Sequence, residues 1–298
     1  MAEVTIIDGG MCGELIRRGA AENGGLWSAK PLLDNPRAVV ETHLAFIDAG
    51  ARFIITNSYS TVPSYLEKKG LAQEYERLTA LAGELAREAA DESPHAVTVA
   101  GSLPPLSESY RADLAPQDDT AREIYARMAA ALEPNVDLFL CETMSSVRES
   151  INAASGARTG ATERDLPIYV SWTLNEVPGA GLRSGESIEE AVAATASLGI
   201  DGYLCNCTAP EAIEAAIERL AGLTDKPIGG YPNRFVEVPE GWTLDNDKSV
   251  GRRTELTPEA FAQAASRCVA KGATLFGGCC GVGPEYIEAV AKAVGPPA

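Results

Sequence analysis

Apolar residues recur along the chain in two alternating patterns. Short apolar or β-branched runs are each followed by a longer segment in which apolar side chains return every three to four positions. In segment 36–49, for example, Val39, Val40, Leu44 and Ile47 fall near one helical face. The short runs predict eight strands at 4–7, 53–56, 97–100, 138–141, 168–172, 203–205, 227–231 and 274–278. The longer segments predict the helices that follow them, at 36–49, 75–90, 121–132, 147–157, 188–198, 210–220, 258–271 and 284–294.

This alternation continues through the whole chain, with no linker or low-complexity stretch. Short apolar strands separated by helices imply a parallel sheet covered on both faces. Because (β/α)8 barrels commonly take about 250 residues, the eight units predict an α/β fold, a single-domain TIM barrel over residues 1–298. A doubly wound open sheet is the alternative, but it usually carries a G-x-G-x-x-G turn after the first strand. Here that turn reads Asp8-Gly9-Gly10-Met11-Cys12-Gly13, which lacks the spacing.

The charge balance narrows the classes of partner. The formal net charge of −17 would repel nucleic acid and anionic membrane surfaces. No window approaches the ~18 consecutive apolar residues of a membrane span, and the N-terminal residues lack the basic and apolar regions of a secretory signal. We therefore expect a cytoplasmic protein with no nucleic acid or membrane partner, which acts on small molecules as a monomer or a small homo-oligomer.

The positions of the cysteines carry the most information about function. An odd count of seven in a long chain indicates reduced thiols rather than a secreted disulfide framework. In a barrel of this type, catalytic groups lie at the C-terminal ends of the strands and in the loops that follow. The residues expected there are Asp8, Thr56, Asn57, Ser102, Glu142, Asn175, Cys207, Asn233, Cys279 and Cys280. Three cysteines therefore fall at the catalytic rim.

These three cysteines are candidates for a metal site. Cys207 follows strand six, and the adjacent pair Cys279-Cys280 follows strand eight, so that the three sulfur atoms can converge. Zn²⁺ suits such ligands, because it takes tetrahedral sulfur and nitrogen coordination and leaves a fourth position open in catalytic sites. The alternative is that they are buried apolar thiols, as we expect for the cysteines inside strands and helices. A disulfide between adjacent cysteines would be strained.

Two motifs carry a resemblance to a known family. Asn206-Cys207 and Gly277-Gly278-Cys279-Cys280 resemble the zinc-binding elements of the homocysteine S-methyltransferase family. The resemblance runs essentially end to end and includes Asp8-Gly9-Gly10-Met11, Leu26-Trp27-Ser28-Ala29, Ala49-Gly50-Ala51, Thr56-Asn57-Ser58-Tyr59, Gly101-Ser102-Leu103-Pro104-Pro105 and Glu142-Thr143. The segment after strand three, with Glu108-Ser109-Tyr110-Arg111, is similar to the branch that uses S-methylmethionine or S-adenosylmethionine rather than betaine.

The resemblance implies a zinc-dependent methyltransferase that moves a methyl group from a sulfonium donor to the thiol of L-homocysteine, giving methionine. It implies one Zn²⁺ per chain on Cys207, Cys279 and Cys280, with the substrate thiol as the activated nucleophile and no further catalytic side chain. By the same resemblance, Glu142 and Asp8 bind the amino acid group of homocysteine. The other expected substrate contacts are Gly9, Gly10, Thr56, Trp27 and Asn233. Trp27 is expected either to cover the sulfonium by a cation–π contact or to pack at the barrel mouth.

Two features depart from the family pattern, and two other functions stay open. Cys12 lies near the rim in a loop that differs from that of relatives, and the long segment 234–253 is a candidate lid or binding loop. The other functions are methyl transfer to selenocysteine, selenohomocysteine or another thiol, and zinc binding without catalysis. Glu142 and Asp8 argue against the second, because a zinc-binding protein has no need of ammonium-binding carboxylates. Because the sequence ends just after the eighth helix, we expect no cobalamin module.

Overall fold

The computed structural model describes residues 4–21, 26, 28–236 and 250–295. Short parallel strands alternate with helices along this part of the chain. The strands are β1 (Thr5–Ile6), β2 (Phe53–Ile55), β3 (Thr98–Leu103), β4 (Leu138–Met144), β5 (Ile168–Trp172), β6 (Gly202–Asn206), β7 (Ile228–Tyr231) and β8 (Leu275–Phe276).

The eight strands form one parallel barrel. Their order in the sheet is β1-β8-β7-β6-β5-β4-β3-β2, and a parallel bridge between Ile7 and Phe53 joins its two ends. At this seam the Asp8 N–H donates to the Phe53 carbonyl over 2.9 Å, and the Arg52 N–H donates to the Ile6 carbonyl over 2.8 Å. The predicted single-domain (β/α)8 barrel is confirmed. That the domain spans all of residues 1–298 stays a prediction.

The helices are α1 (Met11–Arg17), α2 (Ala29–Asp34), α3 (Pro36–Asp48), α4 (Pro63–Glu67), α5 (Tyr75–Glu92), α6 (Asp118–Leu132), α7 (Val147–Gly160), α8 (Ile188–Thr195), α9 (Pro210–Leu220), α10 (Pro258–Ala270) and α11 (Pro284–Val294). All eight predicted helices are present, although the predicted helix 188–198 ends as α8 followed by a turn of 3-10 helix at Ala196–Leu198. The short helices α1, α2 and α4 were not predicted, because they are too short to show an apolar period. They shape the loops that follow β1 and β2.

Strands β3 and β4 run further toward the rim than their apolar patterns predict. β3 continues to Leu103, and β4 continues to Met144. Glu142 was expected after the fourth strand, and it lies inside it instead. The reason is an irregularity in β4: its register with β5 shifts between Cys141 and Met144, and Thr143 takes a left-handed φ of 59°. The apolar pattern did not predict this end of β4, because the strand continues through the polar residues Glu142 and Thr143.

The apolar core has two layers. The larger layer lies between the barrel and its helices, and it includes Phe46, Leu78, Phe139, Trp172, Phe261 and Ile287. A smaller cluster fills the barrel interior, with Ile7, Phe53, Ala100, Leu138, Leu140, Leu204, Tyr231 and Leu275. The barrel is thus a packed scaffold whose polar groups gather at the C-terminal rim. Among the described helices, none has the length and apolar character that a membrane crossing requires.

Two glycines let α7 pack closely on α6. A Cβ atom built on Gly156 would lie 2.4 Å from the Cβ of Tyr125, and one on Gly160 would lie 2.0 Å from the carbonyl oxygen of Ala126. Both distances are far inside van der Waals contact, and the second involves backbone that has little room to move. Gly13 in α1 is the opposite case, because a Cβ there meets nothing within 4 Å.

We expect Gly160→Ala to destabilise the protein by about 1–3 kcal/mol, because the added methyl group must separate two packed helices. Gly13→Ala is the matched control, and we expect it to stabilise by about 0.5–1 kcal/mol, because alanine is the better helix former. Urea unfolding of both variants measures the difference. Equal midpoints for the Gly160→Ala variant and the wild type would contradict the close packing of α6 and α7.

Candidate active site

Three cysteine sulfur atoms converge at the C-terminal rim of the barrel. Cys207 directly follows β6, and Cys279 and Cys280 lie in the loop after β8. The Sγ atom of Cys280 lies 3.6 Å from that of Cys207 and 4.0 Å from that of Cys279, and the ligand atoms of all three lie within 4.8 Å of one another. Two sulfur atoms bound tetrahedrally to zinc at ~2.3 Å are about 3.8 Å apart. The described residues therefore fit a three-sulfur metal site.

The loops that carry these sulfur atoms are tied together by backbone hydrogen bonds. The Cys207 N–H donates to the Tyr231 carbonyl over 3.2 Å, and the Cys279 N–H donates to the Pro232 carbonyl over 2.9 Å. Cys207 itself takes a left-handed φ of 51°, which is uncommon outside glycine, asparagine and aspartate. The rims of β6, β7 and β8 thus form one unit that aims three sulfur atoms at a common point.

The three thiols are not equivalent. Contacts with the Cys279 and Cys280 thiols hold the pKa of Cys207 well below its ordinary value, and hydrogen bonds from the Tyr110 hydroxyl and the Asn233 amide add to this effect. Contact with the Cys207 thiol in turn raises the pKa of Cys279 and of Cys280 well above the ordinary value. The described contacts therefore favour a thiolate at Cys207 over one at Cys279 or Cys280, and a cation beside the cluster would favour the thiolate form of all three.

Two buried carboxyl groups, Asp8 and Glu142, lie at the same rim. Glu142 accepts hydrogen bonds from the Ser102 hydroxyl and, over 3.3 Å, from the Tyr231 hydroxyl, and burial raises its pKa to about 7. Asp8 accepts the Ile55 N–H over 2.9 Å with one oxygen. Its other oxygen has no partner among the described residues, and burial raises its pKa well above the ordinary value. A nearby cation would stabilise the charged form of either carboxyl group. The described residues place no hydrogen-bond donor at the second Asp8 oxygen.

Gly9 and Gly10 let the loop after β1 touch the loop after β8. A Cβ on Gly9 would lie 2.5 Å from the Val282 carbonyl oxygen, and one on Gly10 would lie 2.7 Å from the Cys279 carbonyl oxygen. Any side chain at either position would push the two loops apart. The glycines therefore let the loop after Asp8 pack against the loop that carries Cys279 and Cys280, whether or not they also contact a substrate.

Of the other residues predicted to contact substrate, one lies beside the sulfur cluster, one is hydrogen-bonded within the protein, and one lies outside the described residues. Asn233 is buried, with its amide nitrogen 3.9 Å from the sulfur of Cys207. The hydroxyl of Thr56 is engaged within the protein, because it lies 2.9 Å from the Ser58 hydroxyl and accepts the Ser102 N–H over 2.9 Å. Trp27 lies outside the described residues, and so does most of the segment 234–253.

The site also contains side chains that sequence reasoning did not single out. Tyr110, in the loop after β3, takes a left-handed φ of 68° and places its hydroxyl 3.0 Å from the sulfur of Cys207. The guanidinium of Arg183 lies 4.3 Å from the centre of the Tyr110 ring. Cys12, which was expected near the rim from the sequence, is close enough to raise the pKa of Cys280 but is outside the three-sulfur set. Tyr110 belongs to a segment that the family resemblance included, although no periodic pattern marks it for a role.

Comparisons with known proteins identify the family of this chain. A family model described as homocysteine S-methyltransferase matches residues 5–294. The homocysteine S-methyltransferase of Escherichia coli is 32% identical, over 97% of this chain and 94% of that protein. The selenocysteine Se-methyltransferase of Brassica oleracea is 30% identical, over 96% of this chain and 88% of that protein. The crystal structure of the metallated homocysteine methyltransferase MmuM from Escherichia coli matches with a TM-score of 0.79 and 29% identity, covering 97% of this chain and 96% of that chain. The chain belongs to the homocysteine S-methyltransferase family.

Proposed function

We propose that this protein transfers a methyl group from a sulfonium donor, S-methylmethionine or S-adenosylmethionine, to the thiol of L-homocysteine and so forms methionine. One zinc ion per chain is held by Cys207, Cys279 and Cys280. The observation that carries the proposal is the pairing of two features at one rim. A three-sulfur cluster suits a thiol-binding metal, and two buried carboxyl groups suit the ammonium of an amino acid.

The amino acid end of the acceptor is bound by Glu142 and Asp8. An ammonium group donates three hydrogen bonds, and the unpartnered oxygen of Asp8 and the carboxylate of Glu142 accept them. Each carboxyl group has a raised pKa because it is buried without a cation, and a bound ammonium removes that penalty. Ser102 and Tyr231 hold the Glu142 carboxylate in place.

The thiol end of the acceptor lies at the sulfur cluster. When bound there, Zn²⁺ acts as a Lewis acid that lowers the pKa of the acceptor thiol, so that the thiolate is present at neutral pH. The three cysteine thiolates outnumber the charges of a divalent ion, and the site therefore keeps a negative charge that attracts a cationic sulfonium. Tyr110 and Asn233 donate hydrogen bonds to Cys207 and stabilise its charge.

The methyl transfer needs no acid group from the protein. The acceptor sulfur forms a bond to the methyl carbon as the bond from that carbon to the donor sulfur breaks. The electron pair of the broken bond stays on the donor sulfur, which leaves as a neutral thioether. The described residues accordingly orient the two sulfur atoms and exclude water, and they do not donate a proton to the leaving group.

A second acceptor class is a selenol amino acid, since relatives include a selenocysteine Se-methyltransferase. The same cysteines and carboxylates serve a selenol and a thiol, and the acceptors differ in the length between the ammonium and the reacting atom. We further propose that the protein acts in the cytoplasm on small molecules, as a monomer or a small homo-oligomer. These last points rest on its sequence.

We expect purified protein to contain about one zinc per chain and to form methionine from homocysteine, with S-methylmethionine or S-adenosylmethionine preferred over betaine. Cys280→Ala should lose both the zinc and the activity, because it removes one of three sulfur ligands. Cys268→Ala is the matched control, since Cys268 is buried in α10 and outside the cluster. Zinc analysis and parallel donor assays measure the outcome. Zinc and turnover that survive in Cys280→Ala would contradict the proposed site.

Because Glu142 is the proposed ammonium-binding group, its pKa predicts how the preference for acceptors with an ammonium group changes with pH. We define the ammonium preference as kcat/KM for homocysteine divided by kcat/KM for 4-mercaptobutanoate, which has the same thiol and carboxylate but no ammonium. With a pKa of about 7, the Glu142 carboxylate is present above pH 7 and becomes protonated below it. The ammonium preference should therefore fall as the pH decreases from 8 to 6.

Glu142→Gln should lower the ammonium preference about 10- to 100-fold at pH 8, the value of a hydrogen bond between charged groups, and should flatten its pH dependence. Glu149→Gln is the matched control. Burial also raises the pKa of Glu149 to about 7, but its carboxylate accepts hydrogen bonds from Ser145 and Ser146 at the start of α7. A wild-type preference that is constant from pH 6 to 8, or equal effects of the two substitutions, would argue against Glu142 as the ammonium-binding group.

A further inference from the structure

The residue after Glu142 has an unusual backbone conformation. Thr143 takes a φ of 59°, a left-handed conformation that is a genuine outlier for a β-branched residue. It lies at the register shift of β4 and is buried. Such a conformation persists only where the surrounding structure holds it. Because Thr143 directly follows Glu142, its backbone conformation contributes, with the hydrogen bonds from Ser102 and Tyr231, to the position of the Glu142 carboxylate.

The side chain of Asn206 holds Thr143 in this conformation. Its oxygen accepts the Thr143 N–H over 2.9 Å, and its nitrogen donates to the Thr143 hydroxyl over 2.8 Å. The same oxygen accepts the Ser171 hydroxyl of β5 over 2.7 Å. Asn206 is fully buried, so water does not compete for these bonds. The Asn206 amide therefore binds both the backbone N–H and the side-chain hydroxyl of Thr143.

The position of Asn206 links the two ends of the site. It is the last residue of β6, and it directly precedes Cys207, which is also left-handed with a φ of 51°. The Asn206 side chain thus joins the residue after the carboxylate of Glu142 to the residue before the sulfur of Cys207, across β5. Tyr231 forms a second connection, because its carbonyl accepts the Cys207 N–H and its hydroxyl donates to Glu142.

We propose that Asn206 is a positioning residue that fixes the Glu142 carboxylate relative to the Cys207 sulfur, and so favours acceptors whose ammonium reaches that carboxylate while their thiol lies at the sulfur cluster. The inference rests on the proposed function and deepens it. None of the three hydrogen bonds of the Asn206 side chain goes to a sulfur atom. Its effect on the acceptor is exerted through Thr143 and Glu142, and the sulfur cluster keeps its ligands without it.

The test is the ammonium preference of Asn206→Ala, measured together with its zinc content. We expect the zinc content to be unchanged and the preference to fall at least about tenfold, because small displacements of a binding group reduce rates strongly. Adding Thr143→Gly should recover part of the preference, since glycine adopts a positive φ without strain. In a Glu142→Gln background, Asn206→Ala should have no further effect on the preference.

Asn152→Ala is the matched control for loss of a buried amide. Asn152 is buried in α7, where it accepts a hydrogen bond from Arg122 and donates one to Asp118. We expect its substitution to leave the preference unchanged. If Asn206→Ala does not fold, Asn206→Asp replaces it, because aspartate keeps the acceptor for the Thr143 N–H and loses the donor to the Thr143 hydroxyl; its preference should fall as well.

The proposal is overturned if Asn206→Ala lowers the activity toward both acceptors equally, if it leaves the preference unchanged, or if it loses zinc. Binding of homocysteine and of 4-mercaptobutanoate to Co²⁺-loaded protein can be monitored by the thiolate-to-cobalt absorption band. The ratio of the two binding constants measures the ammonium preference without turnover. Absence of methyl transfer in the wild type with an intact ratio of binding constants would count against the proposed function alone. A binding ratio that Asn206→Ala does not alter would count against the role of Asn206 alone.

Discussion

The sulfur atoms of the buried Cys207 and the partly buried Cys279 and Cys280 lie within 4.8 Å of one another, and as anions they repel one another unless a cation lies among them. This electrostatic constraint organises the rim of the barrel. Without a cation, one thiolate at Cys207 is stabilised by its neighbours, and the pKa values of Cys279 and Cys280 are raised. The two carboxyl groups beside the cluster obey the same rule, since burial without a cation raises the pKa of each. These charges are the basis for the proposed binding of one metal cation and one ammonium group.

The barrel supplies the rigidity that this arrangement needs. Unfavourable backbone conformations occur at Thr143, Cys207 and Tyr110, and each belongs to a loop or strand end at the rim. The packed interior below them and the hydrogen bonds among β4, β5, β6 and β7 hold the conformations of Thr143 and Cys207 in place. Strain of this kind clusters where a protein must present side chains in a fixed geometry. The packed barrel therefore stabilises a rim that contains unfavourable backbone conformations.

Much of the fold and the centre of the site were predictable from sequence, for physical reasons. Apolar periodicity marks strands that are buried on both faces, and barrel topology assigns their C-terminal ends to one rim, which brought Cys207 together with Cys279 and Cys280. The polar end of β4 was not predictable, because a strand that continues past its apolar residues leaves no pattern. Tyr110 and the partners of Asn206 were not predictable either, since contacts 97 and 63 positions apart in the chain depend on loop conformation. Trp27 and the segment 237–249 lie outside the described residues, and the expectations about them stay predictions.

In the proposed site, Cys207, Cys279 and Cys280 would hold a metal ion, and the acceptor thiol would bind at that ion. X-ray absorption at the zinc edge tests this arrangement most directly, on the purified protein with and without homocysteine. We predict three sulfur scatterers at about 2.3 Å without homocysteine and four with it. A shell dominated by nitrogen or oxygen, or a sulfur count that homocysteine does not change, would contradict it.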